Sequence, residues 1–240
     1  MNKKSLHRRN IMSKSNKKAI VIIIIVAVII VALGQIYTIL TTFHYEDHLD
    51  DTVITIDSTE ISLREFGYYI YDIEAYVQEQ ALQYDSENPS HWWNTHFAAG
   101  LDSTYICDYA KETAINSCVC DEIYYQLAIQ NSISLDDTEK SYAADEANQT
   151  YEQMNDYQLG VTGLNADIIL EYRLKQALAT KYAQTLLETV DFSSYEDDPN
   201  TLLSGNGDYF QDVILPDHTV TENSKILDNL YFGKITVNYE

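Results

Sequence analysis

One long apolar run near the start of the chain constrains it more than any other feature. Ala19 to Leu40 contains no charged residue, and about twenty apolar residues rising ~1.5 Å each span the hydrocarbon core of a bilayer. Seven of the fifteen Lys and Arg residues precede position 19, and positive charge stays on the cytoplasmic side. We therefore predict a basic cytoplasmic leader at 1–18, a single-pass helix at 19–40, and the bulk of the chain outside the membrane.

The same run has a second interpretation, as a cleavable signal. A basic leader, an apolar stretch and a small-residue site are typical of secretory signals, and Ala32-Leu33-Gly34 offers such a site. Cleavage near Gly34 would release a secreted protein. The apolar run continues through Ile36, Tyr37, Ile39 and Leu40, which favours a retained anchor.

The charge balance narrows the class of partners. All thirty-seven acidic residues follow position 45, together with only eight basic ones. The exported part therefore carries a formal charge of −29, which repels nucleic-acid phosphates and anionic lipid headgroups. We expect no nucleic-acid partner. Cys107, Cys118 and Cys120 lie in one predicted helix at spacings that suit neither a bridge within the chain nor a zinc site, so we predict buried thiols.

After a linker at 41–51, a helical module is predicted over 52–190. Its β-branched start, Val53 to Ile56, predicts a short strand and is followed by a turn. Ser62 and Glu65 form a capping-box pattern at the start of a first helix, about 62–84. Further apolar patterns predict helices at about 103–130, from Ser134 as its N-terminal cap to about Gly160 as its C-terminal cap, and from about Leu164 to Val190. The fold class is mainly α, with four helices and a small two-stranded sheet.

The C-terminal extension at 191–240 differs in composition from the helical module. It is rich in turn-forming residues, and Tyr209 to Leu215 is a possible strand. Gly233 to Tyr239 is a better one, because Ile235, Val237 and Tyr239 alternate with polar residues. A lone strand is not stable, so we predict that Val53–Ile56 pairs with the stretch near Ile235–Val237 and closes the chain on itself.

No pattern typical of a catalytic, phosphate-binding or calcium-binding site occurs in the sequence. His44 and His48 are four residues apart, but a polar linker explains them better than a metal or pH-sensing site. His91 and His96 flank both tryptophans and would need a further ligand, such as Glu87, to hold a metal. We therefore predict no catalytic residue, no metal and no cofactor.

The aromatic content is the one unusual chemical feature, with twenty tyrosines among 240 residues. Tyr provides a large, stiff contact surface with a polar tip, and it tolerates partial exposure. Most of these rings suit the core or its edge, but some could line a groove for extended, apolar-rich polypeptide segments. The predicted contact residues are Tyr69, Tyr76, Trp92, Trp93, Phe97, Tyr124 and Tyr125.

The order of these elements resembles a known family. Residues 53–66 read VITIDSTEISLREF, residues 128–137 read AIQNSISLDD, and residues 159–162 read LGVT before a last long helix. This succession is similar to the N-terminal chaperone module of the SurA/PrsA-type foldases, which are extracytoplasmic peptidyl-prolyl isomerases and their relatives. The resemblance covers about 52–190. The parvulin-type domain that follows in that family has no counterpart in the last fifty residues, so none of its catalytic residues can be carried over.

The resemblance and the aromatic content together predict a function without chemistry. We expect a membrane-anchored, extracytoplasmic, chaperone-like module that binds unfolded or exported polypeptides. Two alternatives remain open: a foldase that retains prolyl isomerase activity, and a non-catalytic interaction subunit of a surface or secretion assembly.

Overall fold

The computed structural model describes Val26 and residues 28–31, 43–97 and 103–239. The chain divides into two compact units, Met1–His44 and Tyr45–Glu240. In the first unit, Val26 and residues 28–31 are helical and exposed. The leader and the rest of the predicted anchor at 19–40 lie outside the described residues. Within those residues, no helix combines the length and apolar character that crossing a bilayer requires, so the anchor stays a prediction.

The second unit opens with a 3₁₀ turn, Tyr45–His48, and a small antiparallel sheet. Strands β1, Thr52–Ile56, and β2, Thr59–Ser62, form a hairpin in which Ile54 lies opposite Ile61. The third strand of this sheet comes from the far end of the chain, where Ile54 and Ile56 lie opposite Glu222 and Val220. Ile54 and Ile56 are fully buried. This burial explains why the β-branched segment Thr52–Ile56 forms the central strand of the sheet.

The predicted partner of the first strand was wrong in position, and the sheet has three strands instead of two. The far end of the chain does return to β1, but it does so through Val220–Glu222 and not through Ile235–Val237. Gly233 and Asn238 have positive φ angles of 89° and 48°, which bend residues 233–239 away from a strand path. Phe210–Ile214, expected as part of a strand, forms a turn of π-helix.

Four long helices build most of the second unit, and three of them agree closely with the sequence prediction. Helix α1, Leu63–Tyr84, begins at the predicted capping box, in which Ser62 and Glu65 satisfy each other's backbone N–H groups. A short helix α2, Ser90–Trp93, follows, and then come α3, Ile106–Gln130, α4, Asp137–Gln153, α5, Asp156–Thr162, and α6, Ala166–Thr189. The C-terminal part adds α7, Pro199–Leu202, β3, Val220–Glu222, and α8, Ser224–Leu227.

The third predicted helix is divided into α4 and α5. Asp136, and not Ser134, caps α4, because its carboxylate accepts the N–H groups of Thr138 and Glu139. Asn155 and Gln158 then form a second capping box that restarts the chain as α5. The left-handed residue that ends this helix is Gly163, with a φ of 66°, and not Gly160.

The core lies where α6 packs against α1, α3 and α4. Tyr68 and Tyr172 are fully buried and stack with their ring centroids 5.6 Å apart, and Tyr69 meets both rings edge-on. Tyrosine therefore takes the place of aliphatic residues at the centre of this bundle. Of the cysteines, Cys118 and Cys120 are buried and Cys107 is half-buried.

Candidate functional site

Aromatic side chains that are exposed or half-buried form contacting pairs along the connection from α1 to α3. Trp92 contacts Tyr84 at a ring-centroid distance of 4.8 Å, and Phe97 stacks on Tyr109 at 4.2 Å. Tyr105 precedes α3 and packs against His96 at 4.3 Å. Tyr84, Phe97 and Tyr105 are 62%, 57% and 45% exposed, and Tyr231, which lines a cavity together with Tyr105, is 67% exposed. We call this set the aromatic surface; it consists of Tyr84, Trp92, Phe97, Tyr105, Tyr109 and Tyr231.

Local hydrogen bonds hold this connection in place. The Asp85 carboxylate accepts the N–H groups of Asn88 and Glu87, and the Asn88 N–H is the largest cause that lowers the pKa of Asp85. Pro89 then starts α2 with a φ of −61°. Beyond α2, the N–H of Phe97 donates to Thr104 O and the N–H of Ile106 donates to Thr95 O. These bonds hold the backbone of Thr95–Phe97 against that of Thr104–Ile106.

A cavity of about 320 Å³ opens at one side of the aromatic surface. Tyr105 and Tyr231 line it together with Phe232, Cys107 and Asp108. The Lys111 ammonium donates to the carbonyl oxygens of Leu227 and Leu230, so its charge is engaged at the base of the cavity. The indole Nε1 of Trp92 is buried and has no acceptor among the described residues. Aromatic faces and a few polar groups at such a surface suit contacts with an extended chain.

The structure brings together only some of the predicted contact residues. Trp92 and Phe97 belong to the aromatic surface, and Tyr76 is 64% exposed on α1. Tyr125 is half-buried, with the Lys175 ammonium 5.4 Å from its ring centroid.

The other three predicted contact residues are interior, and this corrects their expected place in a surface groove. Tyr69, Trp93 and Tyr124 are each 2–3% exposed. Tyr69 donates to the Asp121 carboxylate, Trp93 to Gln78 Oε1, and Tyr124 to Leu203 O. Their polar tips therefore satisfy internal acceptors, and Tyr69 and Tyr124 line a cavity of about 300 Å³ beside α6 and not the aromatic surface.

Sequence reasoning missed four members of the aromatic surface: Tyr84, Tyr105, Tyr109 and Tyr231. Tyr105 and Tyr109 are four residues apart within the predicted helix at about 103–130, a spacing that places two side chains on one helix face and offered a usable signal. Tyr231 reaches this surface from the C-terminal part, so no local pattern could have assigned it.

A separate groove lies along α6, between it and α4. Its main cavity has a volume of about 610 Å³, and a second one of about 300 Å³ shares Asp121, Gln176 and Thr180 with it. Asp121 Oδ2 accepts from Gln176 Nε2 at 2.9 Å and from Tyr69 Oη at 3.1 Å. Burial raises the pKa of Asp121 to about 6, the two hydrogen bonds oppose this change, and Asp72 adds to it.

The charged side chains of this α6 groove use only some of their polar atoms in hydrogen bonds. The pKa of Asp72 is also raised. Burial is the main cause, and the nearby charge of Arg173 partly opposes it. Arg173 donates to Thr150 Oγ1 at 3.2 Å, whereas its Nε is buried without an acceptor among the described residues. Its guanidinium carbon lies 5.5 Å from the Tyr68 ring centroid. The groove can therefore hold polar or charged groups of a ligand. Most of its own polar side chains, however, are hydrogen-bonded to one another.

Across the described ranges, no three His, Cys, Asp or Glu side chains are grouped so that they could hold a metal ion. Comparison of the chain with protein-family models, curated proteins and solved structures found no match. Function is therefore inferred from the residues and geometry of this chain.

Proposed function

We propose that this chain is a membrane-anchored, extracytoplasmic module that binds unfolded or exported polypeptides without catalysis. Bound segments would lie against the aromatic surface, and the run at 19–40 would hold the module at the membrane. The order of sequence elements over about 52–190, which resembles that of the chaperone module of SurA/PrsA-type foldases, implies the same function. The proposed binding surface lies in the second unit of the chain.

The exposure of the aromatic surface is the observation that carries this proposal. Tyr84, Phe97, Tyr105 and Tyr231 expose 62%, 57%, 45% and 67% of their surface. Clustered exposed rings mark interaction sites, because water is released from them when a partner binds. Flat rings with few specific polar partners favour broad binding over selection of one sequence.

The charge of the module supports the same function. A formal charge of −29 after residue 45 keeps copies of the module apart and keeps a complex with an apolar polypeptide in solution. Screening confines this repulsion to about 10 Å at ordinary ionic strength. Short-range aromatic contacts can therefore form between the module and an uncharged segment.

Suppression of aggregation tests the proposal directly. The full chain should slow the aggregation of a reduced, unfolded client protein when the two are equimolar. Replacing both Phe97 and Tyr105 with Ala should weaken binding about tenfold, because two exposed rings together contribute about 1–2 kcal/mol. Light scattering gives the protection, and fluorescence anisotropy of a labelled unfolded client gives the affinity.

The matched control replaces Tyr142 and Tyr151, which are 66% and 39% exposed on α4. These substitutions remove similar aromatic area away from the aromatic surface and should leave client binding unchanged. An equal loss in both double variants, or no protection by the parent chain, would contradict the proposal.

A prolyl isomerisation assay separates this function from the foldase alternative. We expect the full chain to leave the rate of a proline-containing test peptide unchanged. An accelerated rate would favour the foldase, whereas capture of one stoichiometric protein in place of many clients would favour an interaction subunit.

A further inference from the structure

Residues Gly233–Tyr239, which we call the C-terminal segment, are held by side chains and not by a β-sheet. The carboxylate of Glu74 on α1 is fully buried and accepts four hydrogen bonds from this segment. Three donors are the backbone N–H groups of Gly233, Ile235 and Thr236, and the fourth is the Thr236 hydroxyl. The backbone thus wraps the carboxylate as a nest of N–H groups wraps an anion.

Polar side chains on α1 and α5 continue this pattern. One helical turn after Glu74, Gln78 exchanges two hydrogen bonds of 3.0 Å with the Asn238 amide. Gln158 Nε2 donates to Thr236 O at 2.9 Å. Tyr239 accepts a hydrogen bond from Asn155 Nδ2 and stacks on Tyr157, with 3.8 Å between ring centroids. Most of these contacts are hydrogen bonds to the backbone or to a small polar side chain of the C-terminal segment.

The Glu74 carboxylate depends on hydrogen-bond donors from the chain segment that covers it. No ion pair of Glu74 occurs among the described residues, so its charge rests on the four donors. Burial raises the pKa of Glu74 although these hydrogen bonds lower it. If the C-terminal segment left, the carboxylate would lose all four donors and would have to regain them from water or from another chain. Another extended chain with free N–H groups could replace them.

The C-terminal segment also covers one of the predicted contact residues. Trp93 donates its indole N–H to Gln78 and packs against Gly233 so closely that a Cβ there would lie 2.5 Å from Trp93 Cδ2. Beside the segment, a cavity of about 520 Å³ separates Thr236–Tyr239 from residues 87–90. Gln78 and Gln158 both line this cavity, so an incoming chain could reach two of the side chains that hold the C-terminal segment.

We propose that Glu74, Gln78 and Gln158 form a docking site for the backbone of an extended polypeptide, with the C-terminal segment as its internal ligand. A bound polypeptide displaces this segment, places its own N–H groups and a Ser or Thr hydroxyl on Glu74, and gains access to Trp93. This inference rests on the proposed function, because the displacing ligand is the polypeptide that the module holds.

Competition with a peptide of the segment's own sequence tests this inference. The probe is a fluorescent peptide of residues 230–240, LYFGKITVNYE. The receptor is the full chain carrying Thr236→Val and Asn238→Ala, which removes one donor to Glu74 and the exchange with Gln78. Fluorescence anisotropy should show at least tenfold tighter binding to this variant than to the parent chain.

A peptide with Val at the Thr236 position and Ala at the Asn238 position serves as the matched control, and it should bind the variant at least tenfold more weakly than the probe. Equal affinity of the probe for parent and variant would overturn the inference, as would equal affinity of the two peptides for the variant. If the probe peptide binds as expected but the full chain fails to protect a client protein from aggregation, only the proposed function is contradicted.

Hydrogen exchange of the parent chain gives a second test, which does not depend on the folding of any variant. The amides of Gly233 and Thr236 should exchange at least tenfold faster than the amide of Ile70 in the middle of α1. A saturating unfolded client should increase their exchange further. Exchange of these amides only through global unfolding would overturn the inference.

Discussion

At the scale of single residues, environment changes the chemistry of side chains that look ordinary in the sequence. Asp121 is one of many acidic residues, yet it sits against Tyr69 and Gln176 in the α6 groove, and its pKa rises to about 6. Glu74 is likewise one Glu among several on α1, yet it organises the C-terminal segment. Neither role could be read from neighbouring residues in the chain.

The raised pKa of Asp121 predicts a specific pH dependence of stability. Because the folded chain binds the proton more tightly than the unfolded chain, this group stabilises the fold below its ordinary pKa. That stability is lost as the pH rises from about 4 to about 6. Asp121→Asn keeps an oxygen for Tyr69 and Gln176 and should remove this loss. We expect its stability relative to the parent to rise by about 1–2 kcal/mol between pH 3.5 and pH 7, allowing for partial solvent access.

Urea unfolding across this pH range measures the effect, and Asp72→Asn provides a second check. Since Asp72 raises the pKa of Asp121, its removal should lower that pKa in a carboxyl NMR titration. An Asp121→Asn variant that follows the parent curve at every pH would contradict the assignment.

At the scale of elements, side-chain caps decide where the helices begin and end. The capping box at Ser62 was predicted from the sequence and is confirmed. The prediction at Ser134 was wrong by two residues, because Asp136 provides the acceptor for the first turn of α4. Ser134 instead contributes its backbone carbonyl, which accepts from Lys181.

This difference yields a paired prediction for α4. Asp136→Ala should lower Tm, because two backbone N–H groups lose their acceptor. Ser134→Ala keeps the carbonyl that Lys181 uses and should leave Tm unchanged. Hydrogen bonds from Glu139 and Thr138 lower the pKa of Asp136, so the stabilisation should fade as the pH falls through that pKa. Equal Tm values for the two variants, measured by circular dichroism, would contradict this assignment.

At the scale of the whole domain, distant segments complete both the sheet and the core. Strand β3 closes the sheet on β1 across more than 160 residues, and the C-terminal segment packs against Trp93 and Glu74. Gly233 allows this packing because it combines a φ of 89° with the absence of a Cβ facing the Trp93 ring.

Gly233→Ala should therefore destabilise the domain by more than about 2 kcal/mol, since both backbone strain and a steric clash arise. Gly160→Ala is the matched control. Gly160 lies in α5, and no neighbouring atom comes within 4 Å of the position that a Cβ would take, so the substitution should be neutral or stabilise by up to about 1 kcal/mol. Chemical unfolding of both variants measures the difference, and similar stabilities would contradict this account of Gly233.

The sequence alone determined the helical class, the first strand, the cap of α1 and the approximate spans of the long helices. These depend on periodicity and capping over a few residues, which local physics controls. Only the tertiary structure decided that Val220–Glu222, and not Ile235–Val237, pairs with β1, and that Tyr69, Trp93 and Tyr124 are buried while Tyr105 and Tyr231 are exposed. Those outcomes depend on which surfaces meet across long separations, where several pairings satisfy the same local pattern and packing selects one.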